Sequence, residues 1–141
     1  MCRQLVGPGV TARYPDLVPQ GVSAELVAEK WGLTRAQLDE YAARSHELAA
    51  AAAAGGGFAN EIVAITTPEG SVVDRDESIR EGTTTERLAG LAAVFGTEEM
   101  RRRLPHLDWK VTSGNSSQIT DGAAALLLMS EDAARRLGLT P

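Results

Sequence analysis

Several kinds of residue are scarce in this 141-residue chain, and each scarcity excludes a class of protein. One cysteine and two histidines leave no internal disulfide and no Cys-rich or His-rich metal site. Aromatic residues make up only 4% of the chain, so its core has to be built mostly from Ala, Leu, Val and Ile. Basic residues are outnumbered 14 to 19, giving a net charge of −5, which argues against a general nucleic-acid-binding surface.

Long apolar runs are also missing. The longest runs from Ala123 to Met129, far too few residues to span a bilayer, so we expect no membrane partner. The first residues lack a basic segment followed by an apolar stretch, so no signal peptide is expected. A single cysteine is compatible with a reducing compartment, and we expect a cytoplasmic protein.

Helix signals dominate the first hundred residues. Residues 1–22 are predicted to be an irregular leading segment, and Ser23 to cap a helix from Ala24 to Lys30. Thr34 and Gln37 form a capping box for a long helix that ends at Gly55–Gly57. Further helices are predicted from Thr83 to Phe95, after Thr97 and after Ser130, because Thr83, Thr97 and Ser130 are suitable capping residues.

Strand signals are shorter. Residues 61–66 and 71–74 are predicted to form two strands joined by a turn at Thr67–Gly70. Residues 109–112 are expected to be extended. The loop from Thr112 to Gly122, rich in Gly, Asn and Ser, should lead into a strand at Ala123–Met129 that is buried on both faces.

Catalytic groups are hard to find in this sequence, and we assign none. Cys2 has no partner in view that would lower its pKa, and His46 is interpreted as a packed, hydrogen-bonded helix residue. His106 is a weak candidate for a base. Arg101–Arg103 is interpreted as a solvated helix face. Arg80, just before a helix N-terminus, is either an anion site or an ion-pair partner of a nearby acid.

Several motifs, taken in order, resemble the thiolase family, the acyl-CoA C-acyltransferases. They are Ser-Ala-Glu-x-x-Ala-x-Lys-x-Gly at 23–32, Arg-x-x-Leu-Asp-x-x-Ala-x-x-Ser-His at 35–46, Phe-x-x-Glu-Ile at 58–62, Asp-Glu-x-Ile-Arg at 76–80, Thr-x-Glu-x-Leu-Ala-x-Leu-x-x-x-Phe at 84–95, and the segment 112–131. The resemblance implies an α/β fold that is part of the thiolase architecture. Residues 23–110 would be its CoA-binding loop domain, and 111–141 the last strand and helix of the first core half.

The resemblance also implies a site for coenzyme A and acyl-CoA, bound as substrates with no covalent cofactor and no metal. Arg80 would meet the adenine–phosphate end of CoA, while Leu91 and Phe95 would line the pantetheine channel. Ser113, Ser117 and Ile119 would border that channel near the thioester. Arg87 stands where the family often has a small polar residue, and we include it among the candidate binding residues.

The implied reaction is thiolysis or Claisen condensation through a cysteinyl acyl-enzyme, in lipid metabolism such as fatty acid β-oxidation. The Cys-x-Ser-Gly context of the thiolase nucleophile does not occur in this sequence, nor do the family's Asn-Glu-Ala-Phe and Gly-His-Pro segments. We therefore expect a fragment of a homodimeric or homotetrameric thiolase that is inactive alone. The alternatives are a stand-alone CoA-binding module and a subunit completed in trans.

Overall fold

The computed structural model describes residues 7–119 and 123–140, and helices dominate them. Its helices are α1 (Pro8–Arg13), α2 (Gln20–Lys30), α3 (Arg35–Ala54), α4 (Thr85–Ala89), α5 (Glu98–Arg103) and α6 (Glu131–Leu137), and its strands are β1 (Ile65–Thr66) and β2 (Val72–Val73).

The long helix α3 begins where its capping box predicts. The Thr34 hydroxyl accepts from the Gln37 N–H at 3.2 Å, and the Gln37 side chain accepts from the Thr34 N–H at 2.8 Å. Gly55 ends the helix, and Gly56 follows with a φ of +72°, a conformation that glycine adopts without strain. This prediction from the sequence is confirmed.

The start of the chain is more helical than predicted. Pro8 opens α1 inside the segment expected to be irregular, because a proline fits the first turn of a helix at no cost in hydrogen bonds. Helix α2 begins at Gln20 after Pro19, so Ser23 lies inside the helix rather than capping it. The Ser23 N–H donates to the Pro19 carbonyl at 3.0 Å, as an inner helical residue does.

The predicted hairpin is present, with shorter strands. Ile65 pairs with Val73 and Thr66 with Val72 in an antiparallel two-stranded sheet. The turn closes through the Thr67 N–H to the Ser71 carbonyl at 2.8 Å, and Gly70 supplies the positive φ of +84°. Both strands are exposed.

Helix α4 differs from its prediction at both ends. Thr84, not Thr83, is the N-cap and accepts from the Arg87 N–H. The helix ends at Ala89, before Gly90, a poor helix former. The predicted continuation to Phe95 is wrong, because the chain there turns to pair Ala93 with Thr112.

The core cluster lies between α2 and the segments on either side of α5. Val22, Leu107 and Trp109 are buried in it, and Phe95 packs against them. Gly21 makes room for the Phe95 ring, since a Cβ there would lie 2.3 Å from the ring atoms. Helix α5 is capped by Thr97, as predicted. Its Arg101 packs on the core, with the guanidinium carbon 5.6 Å from the centroid of the Trp109 ring.

The predicted buried strand at 123–129 is wrong in this structure. These residues form no strand, and Leu126, Leu127 and Leu128 are 83%, 74% and 83% exposed. An apolar run is buried only where another surface covers it, and no described residue covers this one. Asp121 and Gly122, at the end of the loop expected to lead into this strand, lie outside the described part of the chain, as does Cys2.

The last predicted helix is confirmed. Ser130 caps α6, with Glu131 and Asp132 in its first turn, and Gly138 ends it with a φ of +67°. Across the described residues, no helix combines the length and the apolar character needed to cross a membrane.

Candidate functional site

A buried carboxylate fixes the extended segment that leads into the Gly/Asn/Ser loop. Glu25 on α2 is 1% exposed and accepts from the Val111 N–H at 2.7 Å and from the Lys110 N–H at 2.9 Å. Backbone donors that would otherwise be buried without partners are satisfied in this way. The contact holds residues 110–111 to α2 across 85 residues of sequence.

A second buried carboxylate joins α3 to the loop itself. Asp39 is 1% exposed; one of its oxygens accepts from Arg35 Nε and the other from Asn115 Nδ2, both at 2.8 Å. Arg35 also donates to the Leu88 carbonyl at 2.5 Å. The chain Leu88–Arg35–Asp39–Asn115 therefore anchors both α4 and the loop to one turn of α3.

The loop is shaped by its own polar side chains. Asn115 Oδ1 accepts from the Thr112 N–H at 2.7 Å, and Thr112 Oγ1 accepts from the Gly114 N–H at 3.2 Å. Ser116 donates its hydroxyl to the Thr112 carbonyl. Such local bonds give a loop without helix or strand pairing a defined conformation.

The segment that carries Arg80 has a similar internal order. Asp76 accepts from the Ser78 N–H at 2.7 Å and from its hydroxyl at 2.5 Å. These two bonds lower the pKa of Asp76 below its ordinary value, with a smaller lowering from the nearby His46. Thr83 Oγ1 donates to the Arg80 carbonyl at 2.8 Å, and His46 Nδ1 accepts from the Arg80 N–H at 3.2 Å.

Open clefts flank this segment, and His46 lines two of them. The first, of about 650 Å³, lies between α3 and residues 80–85, and both Arg80 and His46 line it. The second, of about 410 Å³, lies between α3 and the Gly/Asn/Ser loop, where Ser117 and His46 line it. His46 therefore forms part of the wall of both clefts. It is hydrogen-bonded, as the sequence suggested, but it is only half-buried.

The predicted binding residues fall into two groups. Those near the clefts are Arg80, Arg87, Leu91, Ser113 and Ser117. Arg87 donates to the carbonyl of Gly82, two residues after Arg80, at 2.9 Å. Leu91 and Leu88 close over Gly114, where a Cβ would lie 2.5 Å from a methyl carbon of each.

The rest of the predicted set is less well placed. The Phe95 ring packs into the core cluster on Gly21, away from the loop. Ile119 is fully exposed at the edge of the described residues. By contrast, the two serines of the group near the clefts present their hydroxyls at the surface: Ser113 is exposed, and Ser117, also exposed, donates to the Gln118 carbonyl at 2.9 Å.

The ion-pair alternative for Arg80 finds no support in the structure. Within the described ranges Arg80 makes no ion pair, either with Asp76 or with Glu77. Its exposed guanidinium is available for an anion at the mouth of the first cleft.

Sequence reasoning missed the residues that hold the site together. Glu25, Asp39 and Asn115 carry its buried polar contacts, and none was singled out. One signal was available, since Arg35 and Asp39 stand four residues apart on a helix, the spacing of an ion pair. The partner across the fold, Asn115, could not be read from spacing.

The arrangement offers groups that can contact an anionic ligand. They are the exposed cation Arg80, the exposed hydroxyls of Ser113 and Ser117, and the apolar pair Leu88 and Leu91 beside Gly114. Within residues 7–119 and 123–140, no group of three His, Cys, Asp or Glu side chains could hold a metal ion.

Known proteins of similar sequence include thiolases and acetyl-CoA acetyltransferases. The family model for the thiolase N-terminal domain matches residues 4–132. The 3-ketoacyl-CoA thiolase of Hahella chejuensis is 43% identical over 125 residues, covering 86% of this chain and 30% of that protein. The acetyl-CoA acetyltransferase of Paracoccus denitrificans is 44% identical, covering 86% of this chain and 29% of that protein.

Solved structures agree in fold. The dimeric peroxisomal thiolase of Saccharomyces cerevisiae superimposes with a TM-score of 0.74 at 34% identity, over 86% of this chain and 29% of that one. The acetyl-CoA acetyltransferase of Bacillus anthracis gives 0.75 at 39% identity, over 89% of this chain and 30% of that one. The predicted α/β class is confirmed by these structures, and the chain spans about 30% of the length of the curated relatives that it matches.

Proposed function

This chain belongs to the thiolase family, and we propose that it is the CoA-binding loop region of an acyltransferase. The whole enzyme would transfer acyl groups between acyl-CoA and acetyl-CoA, by thiolysis or by Claisen condensation. One observation carries the proposal: three segments with candidate ligand-binding residues, 80–87, 88–91 and 113–117, are all held against α3 by hydrogen bonds or packing.

The chemistry of these segments matches the parts of a CoA ester. The exposed Arg80 guanidinium suits the phosphates, with Arg87, which donates to the Gly82 carbonyl, as a second cation. Leu91 gives the pantetheine arm an apolar surface. Ser113 and Ser117 offer hydroxyls to its amides, close to Gly114.

Phe95 and Ile119 remain weaker members of this proposed set. Phe95 has its ring turned into the core cluster, so only its partly exposed edge could meet a ligand. Ile119 is fully exposed, and no described residue packs beside it to form a binding surface.

We further propose that the isolated chain is inactive. Thiolase chemistry needs a cysteine nucleophile, and the single thiol, Cys2, does not stand in a Cys-x-Ser-Gly context. The 141 residues then bind and orient substrate, while the acyl-enzyme cysteine, the base and the oxyanion donors come from segments outside this sequence. We expect the whole enzyme to be a cytoplasmic homodimer or homotetramer.

The test is calorimetric titration of the 141-residue chain with CoA. We expect saturable binding that Arg80→Ala weakens by about tenfold or more, as for a charge-assisted hydrogen bond. Arg136→Ala, which removes an exposed arginine on α6, is the matched control and should leave the affinity unchanged.

The activity assay is thiolysis of acetoacetyl-CoA by the same preparation. No turnover is expected. Absence of CoA binding would remove the proposed binding role, and enzyme-like turnover would remove the proposal that the chain is inactive alone.

A further inference from the structure

His46 makes a contact that the proposed CoA-binding role does not explain by itself. It lies in the middle of α3, half-buried, and its Nδ1 accepts the backbone N–H of Arg80 at 3.2 Å. In the described part of the chain, this is the one hydrogen bond between α3 and residues 74–83.

Hydrogen bonds within the Arg80 segment order its turns, but its position on α3 depends on contacts with other parts of the chain. Its internal bonds, from Ser78 to Asp76 and from Thr83 to Arg80, fix turns without fixing where those turns sit on α3. The two other anchors of α3, Arg35 and Asp39, hold Leu88 and Asn115 instead. Arg87 ties the Gly82 carbonyl to α4, and the bond from Arg80 to His46 is the direct hydrogen bond that the described structure shows between the Arg80 main chain and α3.

We propose that His46 is a positioning residue for Arg80: it accepts the Arg80 N–H and so holds the guanidinium at the mouth of the cleft, without touching the ligand. This inference rests on the proposed CoA-binding role. It predicts that a histidine change alters CoA affinity through Arg80 rather than through a direct contact.

The hydrogen bond between Arg80 and His46 should depend on pH, because a neutral imidazole nitrogen accepts a hydrogen bond and a protonated one donates. Histidine side chains change protonation between about pH 5 and 8, so acid should remove the acceptor that holds Arg80. The charged groups around His46 are Glu40, Arg44 and Glu47 on its own helix and Asp76, Arg80 and Glu81 on the facing segment. The loop side of the second cleft offers only neutral groups, at 114–118.

The Asp76 carboxylate lies near His46, and the two Ser78 hydrogen bonds lower the pKa of this carboxylate. A charged imidazole beside the Arg80 N–H would leave two donors facing each other. The Arg80 segment would then lose its tie to α3.

The experiment titrates the full chain with CoA from pH 5.5 to 8.0 and compares four proteins: wild type, His46→Gln, His46→Ala and His106→Gln. Glutamine keeps an acceptor oxygen at every pH, and His106 is the other histidine, exposed in a loop. Because CoA phosphates also titrate in this range, each affinity is read as a ratio to that of His46→Gln at the same pH.

We expect His46→Ala to weaken CoA binding at pH 8.0 by about three- to tenfold, the range of one neutral hydrogen bond, and His46→Gln to restore it. Wild type should weaken relative to His46→Gln as the pH falls, and His106→Gln should follow wild type. If wild type instead binds more tightly than His46→Gln in acid, His46 contacts the anion directly and the proposal is wrong.

A second measurement does not depend on CoA. The Arg80 amide resonance in the free chain should shift with pH together with the His46 ring resonances, and should stay still in His46→Gln. An Arg80 amide that ignores the His46 titration, with CoA binding intact, would overturn this inference alone. Loss of CoA binding in wild type would instead remove the proposed function, on which this role of His46 depends.

Discussion

Two segments of this chain show opposite relations between hydropathy and burial. Residues 107–116 contain Lys, Thr, Asn and Ser, yet Thr112 is fully buried and Val111 nearly so. Residues 123–129 contain only Ala, Leu and Met, yet the three leucines lie on the surface. The difference comes from partners, since Glu25 of α2 accepts from the backbone of the first segment and Asp39 of α3 accepts from its Asn115 side chain, whereas no described residue covers the second.

Burial is therefore decided by what surrounds a segment and not by its composition alone. Glu25 and Asp39 hold a polar loop in place because each buried oxygen has a donor. The apolar run has nothing comparable in the described structure, which matches a chain spanning about 30% of its relatives. Three pairs of substitutions test whether the partners of a segment decide its burial in this chain.

The largest expected effect separates two leucines. Leu88→Ala removes a buried side chain that packs over Gly114, and we expect it to lower the free energy of unfolding by about 2–5 kcal/mol. Leu127→Ala makes the same chemical change in the exposed run and should cost less than about 0.5 kcal/mol. Urea denaturation followed by circular dichroism measures both, and equal losses would mean that the run at 123–129 is buried in solution.

The next effect concerns the carboxylate of α2. Glu25→Ala leaves the N–H groups of Lys110 and Val111 without their acceptor, so we expect a loss of about 2–4 kcal/mol. Glu29→Ala, one turn further along the same helix, removes only a partly exposed ion pair with Lys110 and should cost about 0–1 kcal/mol. Thermal melts of the two variants give the ranking, and a milder effect at Glu25 would refute the anchoring role.

The smallest of the three effects concerns the loop anchor on α3. Asp39→Asn keeps one acceptor oxygen but weakens the pairing with Arg35 and with Asn115, and we expect about 1–2 kcal/mol of destabilisation. Its neighbour Glu40 is exposed, so Glu40→Gln serves as the control with little change. Denaturation midpoints that do not differ between the two would show that the loop does not depend on Asp39.

Local signals in the sequence predicted the helices well. The capping residues Thr34, Thr97 and Ser130 each accept the N–H three residues on, because this interaction depends only on nearby residues. The hairpin turn at Thr67–Gly70 was predictable for the same reason. The N-cap of α4 was misjudged by one residue, since Thr83, Thr84 and Thr85 are consecutive and equivalent in type.

Long-range contacts were beyond sequence reasoning. The Phe95 spacing suggested a continuing helix, but pairing of Ala93 with Thr112 and packing on Gly21 decided its conformation. Glu25 and Asp39 look like ordinary helix-surface acids until the loop that they bind is brought beside them. The resemblance identified the family because it depends only on the order of motifs along the chain. The residues that position the site were recognisable only from the folded structure.

Amide hydrogen exchange of the 141-residue chain, with and without CoA, tests this account most directly. We predict slow exchange at Lys110 and Val111 in both conditions, fast exchange across 124–129 in both, and added protection by CoA at Arg80 and at 113–117. Fast exchange at Lys110 and Val111, or CoA protection confined to residues other than Arg80 and 113–117, would contradict it.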